Sequence, residues 1–227
     1  MMSTGTAAGA TAWDKPHLPE HRVAASLAIL VMIACQVALN DSLTFRPWWL
    51  LPGIESALFL ALFWANPARI TRESRVIRWL SLALVCVASL VTAFAAFKLV
   101  WQIATGRAES DPPMLLLNGG GIWLTNVVVF ALWYWELDRG GPAARSKGRC
   151  PDPDFLFPQM TAPKLAGPGW HPQFLDYLYV SFTNATAFSP TDTMPLSRWA
   201  KMAMMLQSGV SLVTAALVIA RAINILR

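Results

Sequence analysis

Five apolar stretches, Val23 to Leu39, Trp48 to Ala65, Ile77 to Ala104, Met114 to Leu137 and Arg198 to Leu226, govern what this chain can fold into. Each meets or approaches the roughly 20 apolar residues that carry an α-helix across about 30 Å of hydrocarbon. Tryptophans sit at their edges: Trp48 and Trp49 open the second stretch, Trp64 closes it, Trp79 and Trp101 bracket the third, and Trp133 and Trp135 end the fourth. An indole is apolar with one N–H, so it settles where bilayer meets water; a soluble core has no reason to sort tryptophans by helix end. With 55% hydrophobic and only 14% charged residues, the chain is too apolar for an ordinary soluble domain.

The formal charge of +5 does not point to nucleic acid, because the cations are gathered in short clusters between the apolar stretches. Lys15 and Arg22 precede the first stretch, Arg69, Arg72, Arg75 and Arg78 fill the second connection, and Arg139, Arg145, Lys147, Arg149 and Lys164 follow the fourth. The intervening loops carry only Arg46 and Arg107. The positive-inside rule then predicts a multi-pass protein of the cell membrane, with its N-terminus and the 138–170 loop cytoplasmic. Residues 1–22 are polar, contain no apolar signal-peptide core, and read as a loose cytoplasmic tail. Residues 23–137 form a four-helix membrane region, 138–170 a loop too rich in proline and glycine to be helical, and 171–227 a short helix plus a final span. Cys35, Cys86 and Cys150 suggest no disulfide framework.

The segment from Phe174 to Phe188 is the exception. Fifteen residues of helix reach about 22 Å, short of the hydrocarbon thickness. Lysine and arginine counts are the same whether it crosses or turns back. Its length and the Ser189-Pro190 break favour a half-helix that re-enters the membrane. The expected fold is therefore an all-α integral membrane protein of five transmembrane helices plus one short re-entrant or pore-helix-like segment.

From Tyr179 onward, Tyr179, Ser181, Phe182, Thr186, Asp192 and Pro195 match without gaps a pattern running approximately YxSFxTxTTVGYGDxxP. The stretch resembles the pore loop of two-transmembrane-type potassium channels. The resemblance implies a pore helix, a loop and an inner helix. Where that family has TVGYGD, this chain reads Ala187, Phe188, Ser189, Pro190, Thr191, Asp192. Both glycines are missing, and a ring of ion-facing carbonyls needs backbone conformations that serine, proline and threonine resist. The layout is channel-like; a potassium-selective filter is not expected. Over its last two thirds the chain is also similar to a family of small uncharacterised bacterial membrane proteins, through ALWYWELDRGG, DFLFP and FLDYLYVSFT. That similarity implies a fold and no activity.

Thr183, Asn184, Thr186, Ser189, Thr191 and Asp192 concentrate hydroxyl, amide and carboxylate oxygens at this helix break, which suits a wet pathway for an inorganic cation. The plainer reading is that Thr191, Asp192 and Thr193 cap the final helix, with Pro195 in its first turn. Glu55 and Lys98 lie about 10 Å below the same face of the second and third helices, so an ion pair is expected. Asn118-Gly119-Gly120-Gly121 permits close helix packing, a late helix start or an unwound site. No catalytic or cofactor motif is found; Glu136, Asp138, Asp152 and Asp154 could gather at the cytoplasmic face as a metal site, though flexible acidic loop residues are the plainer reading, and no metal is assigned. The expected partners are the lipid bilayer, further copies of this chain and a cation. A non-conducting scaffold or accessory subunit and a small ion-coupled transporter are the alternatives.

Overall fold

The computed structural model describes residues 15–70, 74–108, 111–150, 152–162, 164–186 and 192–225. In chain order the helices are α1 (Val23–Ala38), α2 (Leu50–Ala65), α3 (Arg75–Ala104), α4 (Pro112–Leu137), α5 (Pro142–Ser146), α6 (Pro158–Thr161), α7 (Phe174–Thr186) and α8 (Arg198–Ile225). One two-residue antiparallel ribbon joins β1 (Phe155–Leu156) to β2 (Met194–Pro195). The fold is otherwise all-helical among the described residues.

α4 is the axis. Leu115, Ile122, Val127, Leu132 and Tyr134 on it are no more than 2% exposed, and α1, α3, α7 and α8 pack around it while α2 lies outside against α3 and α1. α4 runs unbroken through Asn118-Gly119-Gly120-Gly121. The reason is close packing: a Cβ on Gly119 would stand 2.8 Å from both methyls of Val218 on α8. Glycine is what lets α8 approach there.

Three helices are long and apolar enough to cross a membrane: α3, α4 with its continuation to Gly140, and α8. α1 and α2, with 16 residues each, reach about 24 Å. Both are shorter than their apolar sequence runs. α1 stops because the Asn40 side chain accepts the Ser42 N–H and turns the chain into a 3-10 turn at Asp41–Leu43. α2 stops at Asn66, whose φ of −142° and ψ of 77° lie outside the α region that a following proline, here Pro67, disfavours. α3 begins on Ser74, whose hydroxyl accepts the Ile77 N–H at 3.2 Å.

The bundle has two ends. At the first lie the start of α3, the end of α4, α5, α6, the ribbon and the starts of α7 and α8. At the second, Leu39, Leu43, Leu115, Val218 and Ala222 form a separate small core.

The 138–170 loop, expected to be non-helical, carries two short helices, α5 and α6, and is packed into the bundle. Phe155, Phe157 and Met160 are buried, because the aromatic rings of DFLFP insert between helices: Phe155 lies 5.0 Å from the Tyr134 ring and 5.7 Å from Trp199, and Phe157 lies 5.4 Å from Tyr177. Prolines open α5 and α6, where their missing N–H costs nothing. The N-terminal segment is also fastened from His17 on. His17 stacks on His171 at 3.7 Å, His21 bridges to Arg69, and the Arg22 N–H donates to Ala68. Residues 1–14 lie outside the described residues.

Candidate functional site

The 13 residues of α7 begin at the first end of the bundle for a local reason. The Asp176 carboxylate accepts the Gln173 N–H at 2.7 Å, and Glu20 accepts the Phe174 N–H, so two carboxylates meet the positive end of the helix. Phe174 packs edge-on against Trp135 at 5.7 Å. At the other end of α7, the Ala185 carbonyl faces Trp123 Nε1 at 3.5 Å. Trp123 precedes Trp135 by twelve residues of α4, about 18 Å of helix. α7 therefore penetrates roughly half the bundle beside α4. At Met194 the chain is at the first end, where β2 pairs with β1 and the Leu196 N–H donates to the Asp154 carbonyl. The start of α7 and β2 thus lie at the same end of the bundle.

α7 is anchored by a buried polar network centred on Gln207 of α8, which is completely enclosed. Gln207 Nε2 donates to the Ser181 carbonyl at 2.9 Å and to Ser181 Oγ at 2.6 Å. Its Oε1 accepts from the Tyr134 hydroxyl at 2.7 Å and from Asn184 Nδ2 at 2.8 Å. Ser181 Oγ in turn donates to the Val127 carbonyl, Asn184 Nδ2 also donates to the Met204 carbonyl, and Ser208 donates to Asn184. One turn further, Asn126 Nδ2 donates to Ser211 Oγ at 2.9 Å. Buried amides and hydroxyls that are fully matched in this way fix one arrangement of helices.

The six residues expected at the helix break divide. Thr183, Asn184 and Thr186 do share the last turns of α7. Asn184 turns inward to α8, while Thr183 and Thr186 donate back to their own helix, at the Tyr179 and Thr183 carbonyls. Ser189 and Thr191, with the Ser189-Pro190 break, lie outside the described residues. Asp192 is exposed. It does not cap α8: Ser197 does, its Oγ accepting the Ala200 N–H at 3.4 Å, and Pro195 lies in β2 rather than in the first helical turn.

The expected Glu55–Lys98 ion pair is not formed. Glu55 is fully buried and is met by α1 instead, with the Gln36 side-chain amide 2.8 and 3.2 Å from its two oxygens. Lys98 lies 5.9 Å over the Phe94 ring. A side-chain amide supplies the hydrogen bonds a buried carboxyl needs, so no ammonium is required.

A second polar cluster closes the first end and takes in Asp138 and Asp154, two of the four acids that could gather at this face, although as structural contacts. Asp138 is fully buried; its Oδ2 accepts from the Tyr177 hydroxyl and its Oδ1 from the Asp154 N–H at 2.8 Å. Asp154 Oδ1 accepts from Trp199 Nε1 at 2.8 Å, which ties the loop to the start of α8. Arg145 donates from Nη1 to the Trp135 and Asp138 carbonyls at 2.6 and 2.8 Å and stands 5.0 Å over the Tyr177 ring. Glu20 Oε2 accepts from Trp135 Nε1 at 2.8 Å. Burial pushes the Glu20 carboxyl above its usual range, while Arg145 and the two N–H donors pull it back. Each acid in this cluster is consumed by a structural contact, and no group of three or more metal-ligating side chains is gathered among the described residues. Acids next to a helix end gave one sequence signal; the partners, on segments far apart in the chain, gave none.

No protein-family model, curated protein or solved structure matches the chain.

Proposed function

We propose that this is a multi-pass membrane protein in which α1, α2, α3, α4 and α8 span and α7 is a re-entrant half-helix, and that it acts as a channel-like protein whose return segment borders a cation pathway. The observation that carries this reading is the path of the chain: α7 penetrates about 18 Å beside α4, and by Met194 the backbone is back at the end it started from. Irregular backbone inside a bilayer is tolerated where it is buried in protein or lines water. The orientation follows from charge. Arg69, Arg75, Arg78, Arg139, Arg145, Lys147 and Arg149 belong to the end at which α7 starts, as do Arg198 and Lys201, so this end is the cytoplasmic one. The N-terminus is then cytoplasmic and the end of α8 external. One half-helix encloses nothing by itself. The outward residues Leu175, Tyr179 and Phe182 of α7 offer an apolar face to further copies of the chain. Potassium selectivity is not part of the reading, because the filter glycines are absent.

Purified protein in liposomes is expected to pass a monovalent cation, and Asp192→Asn to lower that flux severalfold by removing the exposed carboxylate at the return of the loop. No flux under potassium, sodium or proton gradients would sink the channel reading. It would leave the second one, a non-conducting scaffold or accessory subunit. That reading is favoured by a specific observation: Asn184, Thr183 and Thr186 spend their polar atoms on α8 and on α7 itself. A transporter reading gains no support, since Gly119 is sealed by Val218 and Glu55 by Gln36.

A further inference from the structure

Two histidines meet face to face at the first end. His17 lies in the segment before α1 and His171 in the segment before α7, and their rings stack at 3.7 Å with 18° between the planes. His17 Nδ1 is 2.9 Å from the Leu18 carbonyl, and His171 Nδ1 is 3.1 Å from the Gly169 carbonyl. A carbonyl only accepts, so each Nδ1 carries the ring proton and each Nε2 is the atom that takes up a second one. The His17 backbone N–H donates to the Ser146 carbonyl at 3.0 Å. The stack and this bond together join the N-terminal segment, the end of α5 and the approach to α7.

Neutral imidazoles can lie ring on ring, but two imidazolium rings at this separation repel. The surroundings treat the two rings unequally. A charge on His17 meets His171, Arg145 of α5 and Arg139 of the turn after α4, all of its own sign. His171 instead meets the carboxylates of Glu20 and Asp176. Burial holds the His17 ring below its ordinary value of 6.5; the Leu18 carbonyl pulls the other way, and the neighbouring positive groups add to the lowering. The segment that the stack secures reaches α7. Three residues on from His17, Glu20 accepts the Phe174 N–H and the Trp135 indole N–H, so the first turn of α7 is held through this segment.

We propose that the His17–His171 stack is an acid-released latch, which holds residues 15–19 against α5 and the approach to α7 while His17 is neutral and lets them go when His17 Nε2 takes up a proton. Linkage fixes the sign. The released imidazole binds a proton at its ordinary value and the fastened one only at lower pH. Fastening is therefore complete above about 6.5 and is lost as the pH falls through the lower value of the fastened His17. Glu20 has the opposite sign: burial pushes its carboxyl up, so its protonation favours the fastened form as acid is added. Loosening in mild acid belongs to the histidines. The latch rests on the packing of the first end and not on ion conduction.

The test uses the full chain in detergent, with Cys35, Cys86 and Cys150 replaced by serine and nitroxide labels on Leu18→Cys and Leu175→Cys, both exposed positions. Double electron–electron resonance should give one narrow distance distribution at about pH 7.5 and a severalfold broader one at about pH 5.5. His17→Phe/His171→Phe keeps two rings without a titrating atom and should stay narrow at both values. His171→Phe alone should still release, with its midpoint moved to lower pH, since the proton on His17 no longer meets a charge there. A distribution that does not change with pH while both histidines are present, a measurement that needs no histidine variant, overturns the latch. So does narrowing on acidification, which assigns the response to Glu20. Broadening in the double phenylalanine variant overturns it as well: in acid alone it assigns the response to another group, and at both pH values it means that the rings do not hold the segment.

Discussion

Gln207 carries more of the tertiary specification than any residue singled out by pattern. Its amide makes four hydrogen bonds at once, to Ser181 twice, Tyr134 and Asn184, and so joins α4, α7 and α8 at one point. In an apolar bundle each interhelical hydrogen bond is worth about 0.6 to 2 kcal/mol, and orphaning buried partners adds to the loss. Gln207→Leu should therefore destabilise the folded state by about 2–3 kcal/mol, read as a lowered thermal midpoint in detergent. Tyr134→Phe should cost about 1 kcal/mol in the wild-type background and much less beside Gln207→Leu. Additive effects would mean the two side chains do not meet. The spacing of Gln207, Ser211 and Thr214, all buried, marks a polar stripe that periodicity alone exposes; which helices answer it is decided by tertiary packing. Glu55 teaches the complementary lesson. Depth made it conspicuous, but depth does not name a partner, and an amide on α1 satisfied it rather than the lysine at the matching level of α3.

At the scale of elements, the sequence made the six longer helices and the short length of α7 legible, because these are set by local apolar runs and by proline, but it passed over α5 and α6. Helix ends were less legible. α1 loses Leu39, where Asn40 turns the chain, and α2 begins at Leu50 rather than Trp48 while ending at Ala65 as its apolar run does, shifts that an apolar-run count passes over. The Gly119 region left close packing, a late start and unwinding open; the contact with Val218 selects the first. Gly119→Ala should push that contact below van der Waals distance and cost about 1–3 kcal/mol through displacement of α8. Val218→Ala in the same molecule should recover most of the loss, since it removes the methyls the new Cβ meets. Thermal unfolding of the two single variants and the double checks this. If the double variant is as unstable as the sum of the singles, the helices do not touch there.

At the scale of the whole molecule, the class was legible and the architecture of the ends was not. Tryptophan and arginine placement report on the membrane as a solvent and act residue by residue. The closure of the first end depends on Glu20, Asp138, Arg145, Asp154 and Trp199 meeting from segments up to 179 positions apart, and nothing local encodes that meeting. The same closure bears on the proposed topology, because it brings the start of α7 and the start of α8 together. Single cysteines placed in a background lacking Cys35, Cys86 and Cys150 make this measurable with a membrane-impermeant thiol reagent in sealed vesicles of known orientation. Leu175 and Asp192, exposed on either side of the half-helix, should label from the same side as Lys147. Trp48 and Arg107, exposed at the second end, should label from the other. Labelling of Asp192→Cys from the Arg107 side would mean that α7 crosses the bilayer, which would reverse α8 and remove the re-entrant element on which a channel-like reading depends. Labelling of both flanks from the Lys147 side leaves α8 rising from the cationic face, with Arg221 near the opposite one, the arrangement in which the return segment has access to water and to ions.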